Sequence, residues 1–379
     1  MNGMTKNFFE SNQTSYDDFD DLRIISNSYI ECENCRLIFA SIWIVLIFTG
    51  LLGNGLVVFT IIKFNKLTNV TQCYLFNLAC ADLAFIISCI PLTTLSYLIE
   101  NWIFGNFLCK AYHYASFVTV CATCLTLMMM TIDRCNYVCN TRKQSWRNSG
   151  FVFYITCLIW LISFILSIPN LITYNVQPLV YYLNKNSTNL SNSNEFQSIF
   201  NNSSYEIVEE CVQKRDFFLS NVTQWYSTIV SYLIPSFVLV VSYIKILHFM
   251  TVKTKNLALT STYNSKISVF RKKRVTKIVI FLTLNFIVLW FPVHFLATWY
   301  RLDSEFPEHL FSFYYLKMIA HTMSYANSSV NPIIYAFSNE SFRHSIIHLF
   351  RKLLRREGSD EFMPVPNRVV KSNEITQFL

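Results

Sequence analysis

Glycine is scarce in this chain, with seven among 379 residues. A phosphate-cradling loop or a nucleophile elbow spends several glycines within a few positions, and no such cluster occurs. The His-Glu pairing by which one helix holds a catalytic zinc is missing as well. Without these devices the chain reads as a non-enzyme that needs no cofactor. Charge is also thin: Asp, Glu, Lys and Arg make up 14% of the residues against 53% hydrophobic ones, and the mean hydropathy is +0.33. That balance excludes an ordinary water-soluble domain. Met1 to Gln13 has no short apolar core of the cleavable-signal type, so the first apolar run is expected to act as the targeting signal. No internal repeat is visible.

Long apolar runs are what the sequence does have. A bilayer core about 30 Å thick requires roughly 20 mainly apolar residues per helix. Seven runs meet that length, approximately Leu37 to Phe64, Tyr74 to Leu98, Leu108 to Thr131, Gly150 to Ile172, Trp225 to His248, Lys277 to Trp299 and Tyr314 to Phe337. The fold class expected is an all-α membrane protein, a seven-transmembrane helix bundle with a short amphipathic helix after the seventh span. The seventh run is the most polar, carrying His321, Ser324, Asn327, Ser328 and Asn331, so its polar face should point into the bundle. Lys63, Lys66, Arg142, Lys143, Arg147 and the run Arg271 to Arg274 all fall on one side, which the positive-inside rule makes cytoplasmic. Glycosylation sequons at Asn12, Asn186, Asn189, Asn201 and Asn202 fall on the other side, so the N-terminus is expected outside. Sequons at Asn69 and Asn327 lie in an inner loop and inside a helix, and read as chance matches.

Three regions follow. Residues 1–36 form an extracellular glycosylated tail, 37–337 the seven-span domain, and 338–379 an amphipathic helix with a disordered cytoplasmic tail. A long outer loop, Tyr174 to Thr223, joins the fourth and fifth spans. After the seventh span Phe342, Ile346, Leu349, Phe350, Leu353 and Leu354 recur at helical spacing among Arg343, Arg351, Lys352, Arg355 and Arg356, a pattern suited to the inner leaflet. The net charge of +8 is placed beside anionic membrane lipid rather than nucleic acid.

Several single residues stand out. Asp82 is an acid in mid-span, where insertion costs about 2.5 to 3.5 kcal/mol, so it needs water, a cation or polar partners. Asp82, Thr123, Asn327, Ser328 and Asn331 could line one hydrated pocket whose oxygens suit a hard cation such as sodium. Pro91, Pro169, Pro235, Pro292 and Pro332 fall within or at the ends of spans and can kink them. Four outer cysteines, Cys32, Cys35, Cys109 and Cys211, allow three pairings, of which Cys109 with Cys211 is favoured and Cys32 with Cys35 is its complement. His113, His294 and His321 read as pocket or packing residues.

Together these residues resemble the rhodopsin-like (class A) G-protein-coupled receptors, from about Leu37 to Phe350. Gly53-Asn54, Leu78-Ala-Cys-Ala-Asp82, Asp133-Arg134-Cys135, Trp160, Pro235 with Tyr243, Phe286 with Trp290-Phe-Pro292, and Asn331-Pro332-Ile-Ile-Tyr335 fall in the family's order. Within the family the chain is similar to the neuropeptide receptors for kisspeptin, galanin and allatostatin A, on Trp102-Ile-Phe-Gly-Asn-Phe-Leu-Cys109-Lys110, Ala122-Thr-Cys-Leu-Thr-Leu, Leu316-Lys-Met-Ile-Ala-His321-Thr-Met-Ser-Tyr325-Ala-Asn-Ser, and Tyr335-Ala-Phe.

The resemblance implies an extracellular peptide ligand, a heterotrimeric G protein and arrestin as partners, and the plasma membrane as location. It implies activation through Asp133, Arg134, Tyr243, Trp290, Pro292, Asn331, Pro332 and Tyr335, and a ligand pocket about Trp102, Phe117, His294, His321 and Tyr325. Ser116, seven positions after Cys109, stands where amine receptors carry an ammonium-pairing Asp, and Tyr325 where opsins carry the retinal lysine. Asp17, Asp18, Asp20, Asp21, Glu209, Glu210, Glu305 and Glu308 could attract a basic peptide. Departures are Cys135 for the usual Tyr, Leu289 for the usual Cys, Thr141 for a common proline, and Lys272 and Lys273 where an acid would answer Arg134. Cys135 and Thr141 keep open a ligand-binding seven-helix protein that has lost coupling; a transporter is the remaining alternative, disfavoured by the missing internal symmetry.

Overall fold

A computed structural model describes residues 23–25, 33–65, 70–139, 149–182, 205–213, 217–260, 263–302 and 311–338, with Arg343, Ile347 and Arg351 singly. The first span is Glu33–Thr60, closed by a π turn over Ile61–Asn65. The second, Val70–Ser88 and Ile90–Ile99, breaks at Cys89. The third is Gly105–Cys139. The fourth, Ser149–Leu166 and Ile168–Thr173, breaks at Ser167. The fifth, Phe217–Thr228 and Ile234–Thr260, contains a π turn over Ile229–Leu233. The sixth, Tyr263–Leu302, and the seventh, Phe311–Ser338, run unbroken with Pro292 and Pro332 inside them. Pro91, Pro169 and Pro235 each follow a break or π turn by two positions, because a proline lacks the amide donor and its ring crowds the carbonyl one turn back.

Six of these helices are long and apolar enough to cross a bilayer. The seventh has the length but carries Ser324, Asn327, Ser328, Ser329 and Asn331, and all five are buried. Turning that face inward is what lets so polar a helix lie at membrane depth. The outside of the bundle is the reverse. Phe48, Leu52, Phe153, Phe237 and Val288 are each more than half exposed, an arrangement that water would penalise and lipid tails accept. Between the helices, Trp43, Leu78, Ile86, Leu127, Met130, Phe286 and Tyr335 form a continuous buried core. The first and seventh spans approach closely at Gly53, where a Cβ would stand 2.9 Å from Pro332.

The outer segment from Tyr174 to Thr223 departs from the plain loop read in the sequence. Strand β2, Tyr174–Tyr182, pairs antiparallel with β3, Tyr205–Gln213, from Tyr174 opposite Gln213 to Tyr182 opposite Tyr205. Strand β1, Arg23–Ile25, adds in parallel to β2. Tyr174, Val176, Val180 and Tyr181 on one strand and Ile207, Val208 and Val212 on the other are strand formers, but the sequon-rich run between the strands masks them in the sequence. The fifth span consequently begins at Phe217, ahead of the expected Trp225. Asn12, Asn186, Asn189, Asn201, Asn202, Cys32 and Thr141 lie outside the described residues, as do Phe342, Ile346, Leu349, Phe350, Leu353 and Leu354 of the expected amphipathic helix.

Candidate functional site

Polar and aromatic side chains gather at three depths in the bundle. At the outer end the hairpin is tied down over the third span: Cys109 and Cys211 form a disulfide, with Cα atoms 5.6 Å apart. Backbone and side-chain bonds add to it. The Trp102 amide donates to the Glu209 carbonyl at 2.7 Å, the Glu209 amide to Asn101 Oδ1 at 2.9 Å, and the Val176 amide to Asn106 Oδ1 at 3.2 Å. Glu100 ends the second span in the left-handed region, at φ 57°, and pairs with Arg36 of the first. Trp102 is itself buried, donating its indole N–H to the Gly105 carbonyl at 3.0 Å and packing on Phe104 and Tyr112. It therefore holds the loop in shape, apart from the other four residues expected in the pocket.

Those four line two clusters of rings and one separate pair. His321 and Tyr325, with ring centres 5.8 Å apart, join Tyr97, Tyr314 and Trp43 between the first, second and seventh spans. His294 stacks on Tyr232 at 4.9 Å and lies 6.0 Å from Trp290, while Phe117 faces Tyr226 at 6.3 Å. Phe85 links the two clusters, 5.9 Å from Tyr325 and 6.0 Å from Trp290. His113 stacks on Tyr174 of β2 at 3.5 Å. The sequence did not single out Trp43, Phe85, Tyr97, Tyr232 or Tyr314; an aromatic in an apolar run gives no sign of which way it turns.

At mid-depth lies Asp82, 1% exposed. Its Oδ2 accepts from Asn331 Nδ2 at 2.9 Å, and its Oδ1 has no hydrogen-bond partner among the described residues. Thr123, Asn327, Ser328 and Asn331 are buried with it. Asn54 Nδ2 bonds the carbonyls of Gly50 at 3.0 Å and Ser328 at 2.9 Å, tying the first span to the seventh. Asn77 performs the same work on the other flank: its Nδ2 donates to Thr126 Oγ1 at 2.7 Å, and its Oδ1 accepts from Trp160 Nε1 at 2.8 Å. Asn285, which sequence reading passed over, donates to Asn327 Oδ1 at 3.1 Å and lies 3.4 Å from Asn331 Oδ1.

At the inner end Asp133 and Arg134 are both buried, with Arg134 Nε 3.9 Å from Asp133 Oδ2 and the guanidinium 5.7 Å over the Tyr137 ring. The Tyr243 hydroxyl donates to Thr283 Oγ1 on the sixth span at 3.3 Å. Tyr335 is buried, and its hydroxyl has no partner among the described residues. Higher up, Trp290 packs 6.3 Å from Phe286, within two residues of Pro292 in the sixth helix.

Comparison with known proteins places this architecture. Residues 53–335 match the family described as 7 transmembrane receptor (rhodopsin family). The chain is 30% identical over 339 residues to the G-protein coupled receptor 54 of Oreochromis niloticus, covering 86% of this chain and 83% of that one. It is 30% identical over 324 residues to the galanin receptor type 1 of Rattus norvegicus, covering 84% of each. The galanin receptor 2b of Danio rerio is 26% identical over 375 residues, 95% of this chain and 90% of that one. The chain is thus a multi-pass membrane protein and a receptor rather than an enzyme. It belongs to the rhodopsin family of seven-transmembrane receptors, within the galanin and kisspeptin receptor group.

Proposed function

We propose that the protein is a plasma-membrane receptor for an extracellular neuropeptide, with its N-terminus outside, and that it passes peptide binding to a heterotrimeric G protein inside. The observation that carries this reading is the run of ring contacts from His321 and Tyr325 through Phe85 to Trp290. Below Trp290 the core continues through Phe286 toward the buried Asp133 and Arg134. A ligand pressing on the outer rings can favour one packing of this column, and the shift in population follows from its differential affinity for the two packings. His294, His321, Tyr325 and Phe117 are the side chains assigned to peptide contact.

In this reading the sixth span swings about Pro292, Arg134 is released, and Tyr243 and Tyr335 move to line an inner cleft for the G protein, and afterwards arrestin. Asn331 and Pro332 permit the matching adjustment of the seventh span. Asp82 is assigned a sodium ion. A hard cation takes oxygen ligands, and the Asp82 Oδ1 atom, buried without a donor among the described residues, together with the hydroxyls of Thr123 and Ser328, fits that requirement, with Asn327 and Asn331 buried beside them. Bound there, the ion would supply the opposite charge that an ionised Asp82 needs at membrane depth.

The test is a signalling screen in cultured cells, applying amidated neuropeptides and recording calcium and cyclic AMP together. A peptide response that is lost in Arg134→Ala, with surface expression and peptide binding kept, is the expected result. Full signalling in Arg134→Ala would overturn the coupling role. Peptide binding with no second messenger in either would favour the uncoupled reading that Cys135 and Thr141 leave open.

A further inference from the structure

The sixth span carries a carboxamide at Asn285, in a stretch, Phe281 to Trp290, whose one other polar side chain is Thr283. Its Nδ2 meets three acceptors on the seventh span: Asn327 Oδ1 at 3.1 Å, the Asn327 carbonyl at 3.4 Å and Asn331 Oδ1 at 3.4 Å. Asn331 hands its own Nδ2 to Asp82 Oδ2 at 2.9 Å. The direction of this chain is fixed by its end. An ionised carboxylate only accepts, so Asn331 must turn its NH2 group to Asp82, its Oδ1 is left facing Asn285, and Asn285 must present its own NH2. An unbroken line of amide donors therefore runs from the sixth span, through the seventh, to the acid of the second.

Asn285 lies seven positions to the inner side of Pro292, in the half of the helix that has to move if the sixth span swings. Such a swing pulls its amide away from Asn327 and Asn331. No acid of the sixth span answers Arg134 in this sequence, and the side-chain hydrogen bonds described between its inner half and its neighbours are Asn285 to the seventh span and, from the fifth, Tyr243 to Thr283 and Tyr232 to the Ile287 carbonyl at 3.0 Å. We propose that Asn285 is the positioning residue through which a cation at Asp82 restrains the sixth span: the ion orders Asp82 and Asn331, Asn331 holds Asn285, and Asn285 holds the helix inward. This rests on the sodium reading given above. A ligand that prefers the arrangement with these contacts intact shifts the population toward it, and Asn285 is the only link in the line that belongs to the moving element.

The experiment uses the full-length receptor, unliganded, as wild type, Asn285→Leu and Asp82→Asn. Thermal unfolding and basal nucleotide exchange on the G protein are each measured in sodium chloride and in N-methylglucamine chloride at equal ionic strength. Sodium is expected to raise Tm in wild type and in Asn285→Leu but not in Asp82→Asn. It is expected to suppress basal exchange in wild type and to leave Asn285→Leu unaffected, with sodium-bound basal exchange in that variant about 2- to 13-fold above wild type, the span of one net hydrogen bond. Suppression of Asn285→Leu as strong as that of wild type overturns the coupling role and leaves the ion site standing. Loss of the Tm shift in Asn285→Leu also overturns it, since Asn285 would then build the ion's cage. Absence of any sodium-dependent Tm shift in wild type removes the ion site and this inference together. Should Asn285→Leu not reach the surface, Asn285→Thr, whose hydroxyl is too short to reach the seventh span, serves in the same comparison.

Discussion

Asn77 ties the second, third and fourth spans together by side-chain hydrogen bonds to Thr126 and Trp160, and truncating it gives a measurable forecast. In Asn77→Ala the Trp160 indole N–H loses its acceptor at 2.8 Å and Thr126 Oγ1 its donor at 2.7 Å. Interhelical bonds of this kind in membranes average about 0.6 kcal/mol and reach about 1.7. Two of them therefore give a loss of about 1 to 3 kcal/mol. At roughly 2 to 4 °C per kcal/mol, the purified receptor should melt measurably earlier in a thermal-shift assay. Trp160→Phe breaks only the Asn77–Trp160 bond and should lose about half as much. The double variant should fall short of the sum of the two singles, because both remove the same Asn77–Trp160 contact. Equal Tm values for wild type and Asn77→Ala, or strict additivity in the double variant, would refute the assignment of this node.

The first span offers a paired test. Gly53→Val places its Cβ 2.9 Å from Pro332 and should cost about 1 to 3 kcal/mol through overpacking. Gly55→Ala meets nothing within 4 Å and should keep or slightly raise Tm, since alanine favours helix over glycine. At the outer face Cys211→Ser frees β3 from the third span. Peptide affinity at the cell surface should then fall by about tenfold or more, a loss of at least about 1.4 kcal/mol, and a membrane-impermeant reductant on wild-type cells should reproduce it.

Much of the fold could be read residue by residue. Hydropathy found all seven spans, although the third, fifth and sixth helices run 8 to 14 residues past the expected ends, and the inward turn of the seventh followed from Ser324, Asn327 and Asn331, since polar groups cannot face lipid. The pairing of Cys109 with Cys211 was among the possibilities counted from the sequence. The β2–β3 hairpin was not legible, because residues 174–182 and 205–213 flank a polar sequon-bearing stretch that gives the whole segment the composition of a loop. Trp102 stood out by its place in a family stretch, yet its indole N–H is committed to Gly105. Asn285 was overlooked because one polar residue in an apolar run looks tolerated until its partners are known.

Whether a segment lies in lipid depends on its own side chains, so composition and spacing settled that the chain crosses the membrane and which runs do so. Which side chains meet inside the bundle depends on how far each helix is rotated, tilted and slid against its neighbours. Asn331 and Asp82 are 249 positions apart, Asn285 and Asn331 46, and Trp160 and Asn77 83. No local pattern sets those relations. They are decided by close packing such as that of Gly53 against Pro332, and only the tertiary structure brings the line from Asn285 to Asp82 together.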